Sequence, residues 1–200
     1  MNEAHLKLCS SVEWGDFVER DLLPWVLEGV DLGNEALEIG PGPGKTTDLL
    51  VTRVPQLTVV EADEQLAQDL AERMAGTPVT VIHADATRLP FESWRFDSVL
   101  ALTMLHHVPS PKLQDRLFGE ACRALRPGGA FIGVDSLDGA AFQELHRDDI
   151  CVPIDPDTLS GRLARAGFVD VMVETNDYAT RFYACAPDVD SPIPQHRAAP

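Results

Sequence analysis

Residues 36–50 read ALEIGPGPGKTTDLL: a short apolar run, three glycines at alternate positions, then a segment of helical period. This stretch constrains the fold more than any other. Gly40, Gly42 and Gly44 can take backbone conformations closed to other residues, and they leave no Cβ between the main chain and a ligand. In an open α/β sheet the ligand crevice lies beyond the carboxyl ends of the strands, where strand order reverses, and the first strand borders that point. A strand ending at Gly40, with a helix beginning near Lys45, predicts such a crevice here.

The rest of the chain repeats the alternation. Strand candidates are Ala36 to Ile39, Leu57 to Glu61, Val79 to His83, Ser98 to Leu102, Ala130 to Val134, Val169 to Glu174 and Phe182 to Ala186. Between them lie helical stripes, Leu66/Leu70/Met74 and Leu113/Leu117/Ala121/Leu125. Ser110-Pro111 suits the start of the second helix, and Pro127-Gly128-Gly129 its end. Only a short polar stretch around Asn176 separates the last two strands, which predicts an antiparallel hairpin. The expected fold is α/β: a doubly wound, seven-stranded, mostly parallel sheet with a C-terminal antiparallel hairpin and helices on both faces.

Residues 1–35 read as a helical preface to one domain spanning 1–187. Trp14, Val18, Leu22 and Val26 mark one face, Pro24 kinks or divides the helix, and Ser10 with Glu13 forms a capping box. Residues 188–200, rich in Pro and polar residues, are expected to be disordered.

Sixteen Lys and Arg against thirty-two Asp and Glu give a net charge of −16, with no basic cluster. Such a chain repels phosphate backbones and anionic lipid surfaces, so neither nucleic acid nor membrane is an expected partner. Four separated cysteines without a C-x-x-C pair suit free thiols in a reducing compartment. With no long apolar stretch and no secretory leader pattern, a cytoplasmic location is expected.

Counting residues in the loop rejects two phosphate-binding patterns. G-x-G-x-x-G from Gly40 puts Lys45 at the third glycine, and G-x-x-x-x-G-K-[ST] ending at Gly44-Lys45-Thr46 puts Ile39 at the first. What remains is an acid, one spacer and G-x-G-x-G: Glu38, Ile39, Gly40, Pro41, Gly42, Pro43, Gly44. A carboxylate here suits an ammonium or sulfonium and opposes a pyrophosphate. Two more acids end the next strands. Glu61 sits where a carboxylate accepts from ribose hydroxyls, while Asp63, two residues past the apolar run, suits the cap of the helix starting at Glu64. Asp85 follows the third strand, in HADATRLPF.

From the glycine loop to the LRPGGAFIGVDS segment, roughly residues 36 to 135, the chain resembles the class I S-adenosylmethionine-dependent methyltransferases of small-molecule type. The resemblance implies a loop of Gly40, Pro41, Gly42 and Gly44 around the methionine part of S-adenosylmethionine, with Glu38 toward its amino group. It also implies ribose at Glu61 and Ala62, adenine at Asp85, Ala86 and Thr87, further contacts at Leu102 and Thr103, and S-adenosylhomocysteine as product. Where amino-modifying members carry [ND]-P-P-[YFW], this chain has Leu102-Thr103-Met104-Leu105, which argues against nucleobase or glutamine nitrogen as acceptor. The expected activity is in-line methyl transfer to a small molecule. An aminopropyltransferase-like enzyme and a non-catalytic S-adenosylmethionine-binding regulatory module are the alternatives.

Histidine best suits proton removal near neutrality. His107, just past the fourth strand, is the candidate base, with only one of His106 and His107 facing the ligand if the segment is extended. His146 through Asp149 read as solvated charges, and His5, Trp14 and Phe17 could close over the ligand. No His, Cys and carboxylate spacing forms a metal motif, so no metal is expected.

Overall fold

The computed structural model describes residues 1–188; all but the first residue of the segment expected to be disordered lies outside them. Helices α1 (Glu3–Cys9) and α2 (Val12–Phe17), a π-helical turn at Val18–Leu22 and α3 (Leu23–Val26) precede strand β1 (Glu35–Ile39). Then come α4 (Lys45–Leu50), β2 (Gln56–Glu61), α5 (Glu64–Arg73), β3 (Val79–His83), β4 (Phe96–Leu102), α6 (Pro111–Ala124) and β5 (Leu125–Ser136). Helices α7 (Ala140–Leu145) and α8 (Pro156–Arg165) lead to the hairpin of β6 (Val169–Thr175) and β7 (Ala179–Cys185).

The sheet order is β3-β2-β1-β4-β5-β7-β6, with β7 antiparallel to both neighbours and the other strands parallel. The expected hairpin is present, but β7 inserts between β5 and β6. Its inner-face residues, Thr180, Phe182 and Ala184, are buried, whereas alternate residues of β6 stay exposed. The strand with more to bury takes the inner place. Strand order reverses between β1 and β4, beyond whose carboxyl ends the crevice opens.

Side-chain alternation divides the core into two layers. Val99 and Ala101 of β4 face Leu117, Phe118 and Ala121 of α6 and Leu159 and Leu163 of α8. Leu100 and Leu102 face the opposite layer, with Leu50, Leu70 and the preface residues Val18, Leu22, Leu23 and Val26. The preface is thus part of the sheet's second helical layer. Its four-residue apolar spacing drifts about 40° per step on an α-helix of 3.6 residues per turn. The π-helical turn, whose Leu23 N–H donates to the Val18 carbonyl five residues back, takes up that drift. Pro24 falls in the first turn of α3, just after it.

Ser11, not Ser10, caps α2, its hydroxyl accepting from Trp14 N–H; the Ser10 hydroxyl donates back to the Leu6 carbonyl at the end of α1. The spacing alone did not separate the two serines, because the end of α1 competes for the first. Ser110 caps α6 and Asp63 caps α5, as expected.

Candidate active site

Gly40, Gly42 and Gly44 all have positive φ, +63°, +54° and +84°. At Gly40 a Cβ would come within 2.9 Å of Met104 Cε, so the main chain itself forms the wall of the crevice. Gly44 does something else: a Cβ there would meet Arg73 at 2.4 Å and Leu70 at 2.6 Å. That glycine lets α4 start against α5.

The carboxylate of Glu61 ties the loop to the next strand. One oxygen accepts from Gly42 N–H at 3.0 Å and the other from Asp63 N–H at 2.9 Å. Each oxygen keeps a further lone pair. Asp85 accepts from Thr87 N–H at 2.8 Å, closing a short 3₁₀ turn at Ala86–Arg88. A cavity of about 420 Å³ is lined by Gly40, Gly42, Glu61, Ala62, Asp63, Asp85, Ala86 and Thr87, and by Met104 and His107 across from them. Pro41, Leu102 and Thr103 line a small recess that shares Gly40, Gly42, Met104 and His107 with it.

Gly44 lines neither space, and neither does Glu38. Glu38 is 1% exposed, and its two carboxylate oxygens accept from the Thr46 and Thr47 hydroxyls in the first turn of α4. Burial pushes its carboxyl up to about 7, against the lowering effect of those two hydroxyls. Glu38 therefore fastens loop to helix from behind. The acid at this position signals the loop, but which side of the backbone it serves is set by the two threonines that follow.

Thr103 has φ +54°, a conformation costly for a β-branched residue. Its N–H donates to the Val134 carbonyl at 2.8 Å, which holds it there at the end of β4. Thr103 and Trp14 also line a neighbouring apolar groove of about 560 Å³ with Phe17, Trp25 and Tyr178. Trp14 and Phe17 pack with ring centroids 5.4 Å apart and their planes tilted by 39° in that groove.

The histidines depart most from expectation. His106 and His107 lie in a 3₁₀ turn (Leu105–His107) rather than extended chain, so both rings turn the same way, their centroids 4.2 Å apart. His146 is 3% exposed rather than solvated, and His5 of α1 is 5% exposed and packs on all three. One nitrogen from each ring converges within 4.8 Å of the others. Sequence reading missed this cluster because its members come from three places far apart in the chain. Asp149, the residue after a left-handed Asp148, accepts from Asn2 N–H at 2.7 Å and helps hold α1 there. Burial and the neighbouring imidazoles lower the pKa of His5 to about 3 and of His107 to about 4, so these rings are neutral at pH 7.

The strand order and the crevice at its reversal define a doubly wound α/β protein of Rossmann-like type. Residues 37–133 match a family model described as a methyltransferase domain. An uncharacterised methyltransferase of Mycobacterium bovis is 30% identical over 102 residues, 50% of this chain and 50% of that protein. A demethylmenaquinone methyltransferase of Clavibacter sepedonicus is 27% identical over 168 residues, 70% of this chain and 67% of that protein. Of solved structures, an S-adenosylmethionine-dependent methyltransferase from Aquifex aeolicus shares the fold, with a TM-score of 0.73 at 16% identity over 93% of this chain and 99% of that one. The chain spans about half the length of the mycobacterial relatives it matches. Over residues 37–133 the chain is similar to the methyltransferase-domain family, and its fold is that of solved S-adenosylmethionine-dependent methyltransferases.

Proposed function

We propose that the chain binds S-adenosylmethionine in the crevice at the β1/β4 switch point and catalyses methyl transfer to a small, largely apolar acceptor. The observation that carries this reading is one cavity bordered by the bare backbone of Gly40 and Gly42, the Glu61 carboxylate and the Asp85 turn. The residues fit the cofactor. A glycine loop without Cβ atoms accommodates its methionine part, the free lone pairs of Glu61 accept from ribose hydroxyls, and Asp85 accepts from the adenine amine. Thr87 N–H is already taken by Asp85, which leaves Ala86 N–H for a ring nitrogen.

Bound there, S-adenosylmethionine supplies a methyl group activated by a sulfonium. The chain's own part is alignment and exclusion of water, and proximity of this kind lowers barriers by several kcal/mol, about 7 to 11 at best. The aromatic groove meeting the recess at Trp14 and Thr103 supports an acceptor with an apolar body. The demethylmenaquinone relative is consistent with that class. His107 has little proton affinity at a pKa of about 4, so no strong side-chain base is assigned.

Calorimetric titration with S-adenosylmethionine and S-adenosylhomocysteine, with NAD and ATP as controls, tests the cofactor. Both adenosyl ligands should bind and neither control should. Turnover on a panel of phenols, quinols, thiols and amines then tests catalysis; tight adenosyl binding with no product from any acceptor would favour a regulatory module.

A further inference from the structure

We propose that His5, His106, His107 and His146 form a binding site for one divalent transition-metal ion, zinc by ligand chemistry, which fastens α1 across the mouth of the cavity. The site is separate from the residues assigned to the cofactor, apart from the edge contributed by His107.

The first argument is a set of buried atoms without partners. Among the described residues, the buried side-chain polar atoms lacking a hydrogen bond are Nδ1 of His5 and Nε2 of His106, His107 and His146. All four belong to this one cluster. Buried polar atoms are seldom left alone, and each one costs stability. Four gathered at one point call for a shared partner.

The second argument is the tautomers. Nδ1 of His106 lies 2.5 Å from Asp135 Oδ1, that of His107 is 3.2 Å from the Ile150 carbonyl, and that of His146 is 2.7 Å from the Phe142 carbonyl. Each of these oxygens only accepts, so each Nδ1 carries the proton and each Nε2 presents a lone pair inward. Three inward lone pairs cannot satisfy one another, because none has a hydrogen to give. A cation satisfies all of them.

The third argument is geometry and environment. One nitrogen of each of the four rings lies within 4.8 Å of those of the others. Tetrahedral ligands about 2.05 Å from zinc stand about 3.3 Å apart, so small side-chain rotations close the set. Metal-bound histidines usually donate their other N–H to a carboxylate or carbonyl, which is the pattern here, with the 2%-exposed Asp135 giving the carboxylate. An all-imidazole set suits zinc, copper or nickel and disfavours magnesium and calcium. A closed four-ligand shell is the arrangement of a structural zinc. His5 comes from α1, which Asn2 already ties to the Leu145 and Arg147 carbonyls at 2.8 and 3.1 Å. The ion thus links the N-terminal helix to the turn after β4 and the end of α7.

The test uses the full chain, stripped with a chelator and titrated with Co²⁺ as a spectroscopic probe and then with Zn²⁺. One Co²⁺ per chain with the intense visible absorption of four-coordinate nitrogen ligation, displaced by one Zn²⁺, is the expected result, together with slower hydrogen exchange in residues 3–9. His5→Ala, at the periphery of the fold, should change the cobalt spectrum and weaken binding while circular dichroism stays unchanged. Asp135→Asn should weaken binding roughly 10- to 100-fold. His146→Gln gives a second ligand variant should either of these fail to fold. Stripped, folded protein that takes up neither ion at stoichiometric concentration would overturn the proposal, as would equal affinity and spectrum in His5→Ala and His146→Gln. S-adenosylmethionine binding is read separately by calorimetry, so failure of the metal site and failure of the cofactor site are distinguishable.

Discussion

The glycine loop, one wall of the cavity, and the histidine cluster, which reaches that cavity only through His107, are built in opposite ways. The glycine loop is a single stretch of seven residues, Glu38 to Gly44, in which local backbone conformation and one adjacent carboxylate produce the whole surface. The histidine cluster joins α1, the turn after β4 and the end of α7, and none of its members is useful without the others. The first presents backbone and fixed carboxylates, which suits recognition of an uncharged ribose and a base. The second presents side-chain lone pairs, whose partner must be a cation. Damage to the first should therefore act locally and on ligand affinity, whereas damage to the second should act on how α1 is held.

The largest expected effect tests the glycine loop. Glu61→Ala removes the brace on Gly42 and the acceptor for ribose, and should weaken S-adenosylmethionine binding about 100-fold, or about 2.7 kcal/mol. Calorimetry measures this, and a loss below about threefold would break the assignment. Gly44→Ala should instead lower stability by about 2 kcal/mol, because a Cβ at φ +84° meets Leu70 and Arg73. Denaturant unfolding reads that loss. Thr103→Gly relieves strain of about 1 kcal/mol at φ +54° but frees the unfolded chain by a similar amount, so its stability should change by less than about 1 kcal/mol. A much larger loss in thermal unfolding would show that its side chain matters more than its backbone.

The smaller effects are pH slopes of the metal-free protein. His5 and His107 have folded pKa values near 3 and 4, below their ordinary 6.5. The unfolded chain therefore binds more protons between those limits, and the stability these rings contribute is present above pH 6.5 and lost as pH falls toward 4. His5→Ala should make the acid limb of the unfolding curve less steep. Glu38 has the opposite sign. Its folded pKa of about 7 exceeds its ordinary 4.5, so the folded state holds the proton longer and loses stability as pH rises from 4.5 to 7. Glu38→Gln should flatten that limb; an unchanged slope would mean that the carboxylate is not buried as described.

What could be read in advance follows the same division. That Gly40, Gly42, Glu61 and Asp85 border the crevice and that Asp63 caps α5 was legible because each lies within a few residues of a strand end, where spacing already implies position. Ser10 was mistaken for Ser11 because the end of α1 reaches one residue further than the apolar pattern shows. Glu38 was legible as part of the motif, but its direction was not, since that depends on hydroxyls eight and nine residues later.

The sequence by itself determined the order of strands and helices, the glycine loop and the acids at successive strand ends, because period, turn chemistry and capping are local properties of consecutive residues. The tertiary structure alone decided that β7 lies between β5 and β6, that the preface joins the core, and that four histidines meet. Those outcomes depend on which buried surfaces find one another across the chain: His5 and His146 are separated by 141 positions, and no local rule connects them.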